Sequence, residues 1–208
     1  MTLLKILAVL CLAVTLAACS TRRESNPQRT ATEQLLMSAA ADRAAERVKL
    51  DIPPDAKVFV DAANFEGVDS KYAIAALRER LLRLGAGLAP DRDRADVVVE
   101  IRSGALSIDE KKILVGIPQF DVPIPLAGAV GVPEIALFKK SERKGVAKFA
   151  GVGYGAKDGK LTGASDPQYG YARETRWVFL LFFSWETSDF LPEAEQEPVF
   201  DLEALDPT

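Results

Sequence analysis

Apolar positions recur along this chain with two periods, one helical and one alternating, interrupted by two stretches that follow neither. Leu36, Met37, Ala40, Ala41, Ala44 and Val48 fall at helical spacing. Thr30-Ala31-Thr32-Glu33 ahead of them has the spacing of a capping box, and Pro53-Pro54 prevents continuation, which predicts a helix over 31–49. Most of its apolar face is alanine, so its backbone can lie close to a neighbour. Ile74, Leu77, Leu81 and Leu84 form a second stripe, opposite Arg78, Glu79, Arg80 and Arg83. Asp69 or Ser70 is the expected cap of this helix, and Gly85 its left-handed stop. Alternation predicts strands at 57–63 (Val58 and Val60 against Phe59 and Asp61) and at 95–102, where Val97, Val99 and Ile101 face away from Asp96, Val98, Glu100 and Arg102. A short extended piece at 87–89 can pair before the second.

Further on, 134–140 and 145–154 have strand character and are joined by the charged residues 141–144, which suggests a turn. Asp158-Gly159 is a tight-turn signal that returns the chain through 160–162. The polar stretch 166–175 suggests a loop. The expected architecture is α+β: two helices packed on one face of a mixed β-sheet, with a strand–helix–strand core followed by an antiparallel meander.

The two aperiodic stretches are apolar. Residues 116–133 (GIPQFDVPIPLAGAVGVP) carry four prolines, which are confined to sheet edges or excluded from strands, so a long greasy loop is expected. It either folds back over the core or is a surface for a partner or a membrane, since large exposed apolar patches mark contact sites. Ile117, Phe120, Val122, Ile124 and Leu126 are its candidate contact residues. Residues 177–185 (WVFLLFFSW) are apolar on both faces, as expected of a central strand buried on both sides or of a hydrophobic edge meeting lipid or a partner.

The N-terminus changes the setting of all this. Lys5 is followed by an apolar run from Ile6 to Leu16, and Leu16-Ala17-Ala18-Cys19 has the lipobox pattern of a bacterial lipoprotein. Residues 1–18 are then a signal peptide, and Cys19 is the lipidated N-terminus of the mature chain. The apolar run is shorter than the roughly 20 residues of a spanning helix. Acyl chains on Cys19 anchor the chain to the bilayer, and Ser20 after it directs the expectation to the inner leaflet of the outer membrane, facing the periplasm. Residues 19–29 read as a tether, whose ten residues after Cys19 reach at most ~35 Å. A single folded domain is expected over 30–185, and an acidic flexible tail over 186–208, which holds no Lys or Arg.

Composition narrows the chemistry. Of two cysteines, Cys11 leaves with the leader and Cys19 is blocked by lipid, so the mature domain has neither thiol nor disulfide. There is no histidine, which removes Ser–His–Asp, Cys–His and histidine-based zinc chemistry. Net charge is −4, without a basic stripe, so nucleic acid is not an expected partner. Asp91/Asp93 and Asp109/Glu110 are the only carboxylate sets suggestive of hydrolysis, and neither has calcium-loop spacing. Gly151-Val152-Gly153-Tyr154-Gly155 is followed by a turn rather than a helix, which argues for a glycine-bearing strand over a phosphate loop. Lys139, Lys140, Arg143 and Lys144 cluster around the expected 141–144 turn, either as a solvated tip or as a contact for lipid, glycan or a partner's acidic face.

Residues 32–43 (TEQLLMSAAADR) and 95–109 (ADVVVEIRSGALSID), with Gly116-Ile117-Pro118 and the later 133–139 (PEIALFK), resemble an uncharacterised family of bacterial lipoproteins over most of 30–180. That resemblance assigns no activity and no functional residues. The region 57–102 is also similar to the small α/β domain of the curli-secretion lipoprotein and the N-terminal domain of TolB, which implies a fold and not a function. The expectation is a non-enzymatic envelope lipoprotein that docks a protein partner or stabilises an assembly, with no cofactor and no metal. The alternatives are a lipid- or small-ligand-binding lipoprotein and, last, a carboxylate-dependent hydrolase.

Overall fold

The computed structural model describes residues 29–124 and 128–191; Cys19, Leu126, the side chain of Ile124 and the chain beyond 191 lie outside the described residues. The architecture is α+β, with two helices and a large mixed sheet of six strands. Helix α1 (Ala31–Arg47) buries Leu36, Met37, Ala40, Ala41, Ala44 and Ala45, so most of its contact face is methyl-sized. Strand β1 (Lys57–Asp61) follows, then helix α2 (Ser70–Arg83), which buries Ala73, Leu77 and Leu81. Asp69 precedes α2 in a left-handed conformation (φ 62°) and makes no capping bond with its side chain, unlike the expected cap.

Strand β2 (Gly87–Leu88) and β3 (Val97–Ile117) flank β1, both parallel to it. A separate two-stranded ribbon pairs β4 (Phe120–Ile124) with β5 (Gly128–Val132). Three antiparallel strands then complete the main sheet: β6 (Ile135–Gly155), β7 (Leu161–Phe179) and β8 (Phe183–Ser188). The spatial order is β2-β1-β3-β6-β7-β8.

Helix α1 lies across β6 and β7 with almost no spacing. A Cβ at Gly170 would overlap the Ala40 carbonyl oxygen, and one at Gly145 would overlap that of Leu36. Ala147 and Ala172 next to them are fully buried. Small residues on both partners thus place helix backbone on sheet backbone. The core spreads from this seam through Val58, Val97, Val99, Ile101 and Leu81 to Phe149, whose ring meets Phe65 at 5.2 Å.

Several expected loops are strands. Residues 141–144 lie in the middle of β6, paired with β3 on one side and β7 on the other. Residues 166–175 are the interior of β7. Residues 141–144 are part-exposed on both faces, and 166–175 present polar side chains on one face and small ones, Gly170 and Ala172, to α1, so their polarity does not break the pairing. The expected loop at 116–133 contains the end of β3 and the β4–β5 ribbon; Pro118 and Pro133 fall in the two breaks beside it, and Pro123 sits in a two-stranded ribbon where a missing N–H can face an open edge. The 177–185 stretch is not one buried strand: residues 180–182 form a turn between β7 and β8. Ordered structure also passes Trp185, the expected domain end. β8 runs to Ser188, Asp189 accepts from Arg43 at 3.0 Å, and Phe190 packs on the core.

Gly170→Ala should lower stability by about 3 kcal/mol, the upper range for overpacking. Gly153→Ala, whose Cβ would meet nothing nearer than 3.6 Å, should cost under about 1 kcal/mol. Urea midpoints of the two variants measure this; equal losses would show that α1 does not rest on Gly170.

Candidate contact surface

Three strands outrun the helix that covers them. Among the described residues, the core takes nothing from β3 after Ile108, from β6 before Ala147 or from β7 after Ala172, Ile108 itself being only partly buried. Beyond that line β3, β6, β7 and the whole of β8 continue as a free sheet, which ends in the β4–β5 ribbon. Residues 109–117 add about 26 Å of length, at roughly 3.3 Å per residue, and lead through Pro118 into the ribbon. This arm is one continuation of the core strands, with an even register between Ala105 and Val115.

Register assigns each side chain to a face. Because Gly145 and Ala172 lie under α1, Arg143 and Glu174 are on the helix side, as are Glu110, Lys139 and Arg176. This side of the arm is a charge network: Arg143 lies 3.5 Å from Glu110 and 3.9 Å from Glu174, Arg176 lies 2.8 Å from Glu186, and Lys139 pairs with Glu134 at 2.6 Å. Glu174 is buried. Its burial, with the adjoining Glu186 carboxylate, pushes its pKa up to about 7 against the opposing pull of Arg143 and Arg176. Burial also disfavours ionised Glu186, but hydrogen bonds from Glu174 and Arg176 outweigh it and hold that carboxyl below its ordinary range.

Among the described residues, no helix covers the opposite face. Here Lys140 sits 6.0 Å from the Trp177 ring centre, Lys144 4.2 Å from Tyr171, and Lys148 5.3 Å from Tyr169. Trp177 and Trp185 stack at 5.7 Å, and Tyr169 and Tyr171 at 6.3 Å. Cross-strand partners Val115, Phe138, Phe179 and Phe183 make the next row toward the tip. The basic cluster is therefore no turn: Lys140 and Lys144 belong to this open face, Lys139 and Arg143 to the other.

The end of the arm is apolar and exposed. Ile117 closes β3, Phe120 and Val122 lie in β4, and all three are exposed, as are Val130, Ile135 and Leu137. Pairing of Phe120 with Val132 and of Val122 with Val130 puts these four on one face of the ribbon, against Asp121, Pro123, Ala129 and Gly131 on the other. The β7–β8 turn joins this apolar end. Leu180 and Leu181 take positive φ (49° and 70°), and Leu180 and Phe182 are exposed. Left-handed backbone costs a branched residue about 1–2 kcal/mol, so leucine stands where glycine or asparagine is easier. The turn and Glu174 were not foreseen from sequence; the alternation of Tyr169, Tyr171 and Arg173 against Gly170, Ala172 and Glu174 is the signal that marks this strand.

The carboxylate sets do not converge. Asp109 and Glu110 are neighbours in β3 and point to opposite faces. Asp91 accepts from the Arg94 amide at 3.0 Å and pairs with its guanidinium at 3.2 Å, closing a short 3-10 turn. The Gly151–Gly155 run is the end of β6.

The family model that matches this chain covers residues 13–167 and is described as a family of unknown function, DUF6655. The chain belongs to that family. No curated protein and no solved structure matches it. The span matched by the DUF6655 model takes in both helices and the entire β3–β6 arm, and ends within β7.

The carboxyl pair beside Arg143 gives a pH dependence. Folded Glu174 holds its proton to about pH 7, while in the unfolded chain it releases it near 4.5, so between those values the folded state binds more protons and stability falls as pH rises. Glu174→Gln removes this slope and should be more stable than the parent by on the order of 1 kcal/mol at about pH 8, converging with it near about pH 5. Urea midpoints at both pH values test this; a parent midpoint that does not fall between them refutes a protonated Glu174.

Proposed function

We propose that this chain is a bacterial envelope lipoprotein, anchored through acyl chains on Cys19 and facing the periplasm from the outer membrane, which acts as a non-enzymatic docking or assembly protein. The arm is its contact element. One observation carries this reading: the longest strands of the sheet run past the core and lead into a ribbon that exposes apolar residues, Phe120, Val122 and Val130 among them, which are not part of the core cluster. The lipobox at 16–19 supports the anchor, and the splitting of the carboxylate sets supports a role without catalysis. We further read the two helices as one layer over the sheet, built on a strand–helix–strand unit and extended by an antiparallel meander. The parallel β1–β3 pair and the antiparallel order β3-β6-β7-β8 support that reading.

A second reading, a small-ligand or lipid carrier, is favoured by one feature. An open groove between α1 and the start of α2 is lined by Leu35, Met37, Ala41, Tyr72 and Leu106, with Leu35 and Tyr72 exposed.

Two measurements test the proposal. Cys19→Ala should accumulate as unprocessed, unlipidated precursor in a membrane fraction labelled with a fatty-acid probe; normal processing would remove the anchor. Phe120→Ser, Val122→Ser and Val130→Ser combined should change stability by less than about 0.5 kcal/mol per site, because these side chains are exposed. The same triple variant should lose the neighbours that in-cell crosslinking recovers with the parent. Retention of every neighbour would sink the arm as contact element.

A further inference from the structure

Resting on that reading of the arm, we propose that the apolar end of the arm contacts the lipid bilayer itself, with the β4–β5 ribbon seated in one leaflet and the Trp177/Trp185 pair at its surface.

Four observations point to a bilayer rather than to a protein groove. First, charge is cleared from the arm in a block. Between Lys112 and Lys139 only Asp121 and Glu134 are charged, and Glu134 is neutralised by Lys139 at 2.6 Å. The block is bounded on both strands by charged residues, Lys111 and Lys112 beside Glu110 in β3 and Lys140 beside Glu142 in β6, a polar band at the level where a leaflet has its headgroups.

Second, aromatic residues stand at that boundary. Trp177 and Trp185 are cross-strand partners in the row that contains Lys140 and Ile113, one row before Phe138, Phe179 and Phe183. Tryptophan favours the headgroup level of a membrane, where its ring is partly wet. Beyond the tryptophans the exposed turn residues Leu180 and Phe182 add apolar surface, and Leu180 does so from a left-handed backbone.

Third, the dimensions fit one leaflet. The ribbon is about 15 Å long, half of the roughly 30 Å hydrocarbon core. Its two edges carry unpaired backbone groups, and such groups cannot cross a whole bilayer in lipid. A ribbon with Phe120, Val122, Val130 and Val132 on one face and Asp121 and Gly131 on the other can instead lie in the interface with its apolar face inward, as amphipathic helices do.

Fourth, the first helix begins on the arm's side of the sheet. Helix α1 runs along the sheet from Leu36 over Gly145, through Ala40 and Ala44 over Gly170, to Arg47 beside the Tyr169 carbonyl. Its first turn therefore lies toward the arm. Cys19 precedes Ala31 by twelve residues in the sequence, a reach of at most ~40 Å.

Trp177 and Trp185 are the only two tryptophans of the chain and report directly. The full chain, purified from membranes in detergent, is reconstituted into phosphatidylethanolamine–phosphatidylglycerol vesicles containing phospholipid brominated near the headgroup or near the chain end. The expected result is a blue-shifted emission, quenched more strongly by bromine near the headgroup. Phe120→Asp, Val122→Asp and Val130→Asp together should abolish both effects, while the variant still floats with the vesicles through its acyl anchor. An unfolding midpoint equal to the parent's excludes misfolding as the cause of the loss.

Unquenched tryptophans in the floating parent protein overturn the proposal. If the arm variants nevertheless lose their crosslinked neighbours in cells, the arm meets a protein and the contact-element reading survives; if those neighbours are also unchanged, both fall. Quenching that persists undiminished in the aspartate variant overturns the role of the ribbon. A fall in oligomer mass in detergent caused by the aspartate substitutions, without quenching in the parent, assigns the surface to a second copy of the chain and overturns the proposal equally.

Discussion

Everything in this molecule depends on how closely α1 approaches the sheet. The contact is made by carbonyl oxygens and peptide planes rather than by interlocking large side chains, with Ala40 and Ala44 above Gly170 and Leu36 above Gly145. Close packing of this kind gains dispersion energy from many atoms at short range and leaves no room for a methyl group. The helix adds a second hold by charge. Arg43 donates to the carbonyl of Tyr171 and to Asp189, and Arg47 donates to the carbonyl of Tyr169. These arginines occupy the outer edge of β7 below the point where β8 begins to pair at Glu174, which keeps that part of the sheet from acting as a template for other strands.

Covering one half of long strands divides each of them into two chemical regimes. Under α1 the strands alternate buried and wet residues in the ordinary way. Past α1 the two faces differ in chemistry: an ion-pair network around Arg143 and Arg176 on one side, and on the other lysines over aromatic rings, with Glu142 between Lys140 and Arg173. The outer edge of β3 from Gly104 to Ile117 has no strand partner among the described residues, in contrast to the arginine-capped edge of β7. The arm thus combines exposed apolar side chains, an open backbone edge and graded charge, features that natural sheets suppress when nothing touches them.

Legibility of the fold followed burial. Both helices were readable, because one face of each is buried and the 3.6-residue period survives. β1 and the first part of β3 were readable for the same reason with period two. The middle of β6 and β7 was not: Ser141 to Lys144 have no buried face to report, and in Asp166 to Thr175 the buried face is made of Gly170, Ala172 and Glu174, which carry no large apolar side chain, so polar composition looked like turn and loop. The prolines of 116–133 misled in the other direction, since a two-stranded ribbon accepts them at its edges and breaks. Of the candidate contact residues, Ile117, Phe120 and Val122 fall together on the arm, whereas the basic cluster divides between faces, as alternation requires once 141–144 is strand and not turn. Glu174 was invisible for a related reason. Its environment is supplied by Arg143, one strand away, and Glu186, across a turn.

The even register of the arm also gives it mechanical character. The strand irregularities lie toward the base, at 103–105 in β3 and 149–154 in β6, and near the tip at 115–116, with none along the shaft between. The shaft is clamped at its base by a helix seated on its backbone. Between 105 and 115 the shaft thus has no irregularity at which to bend, and its base is held where helix backbone meets Gly145 and Gly170, so stiffness rather than side-chain size sets how far the tip stands from the core.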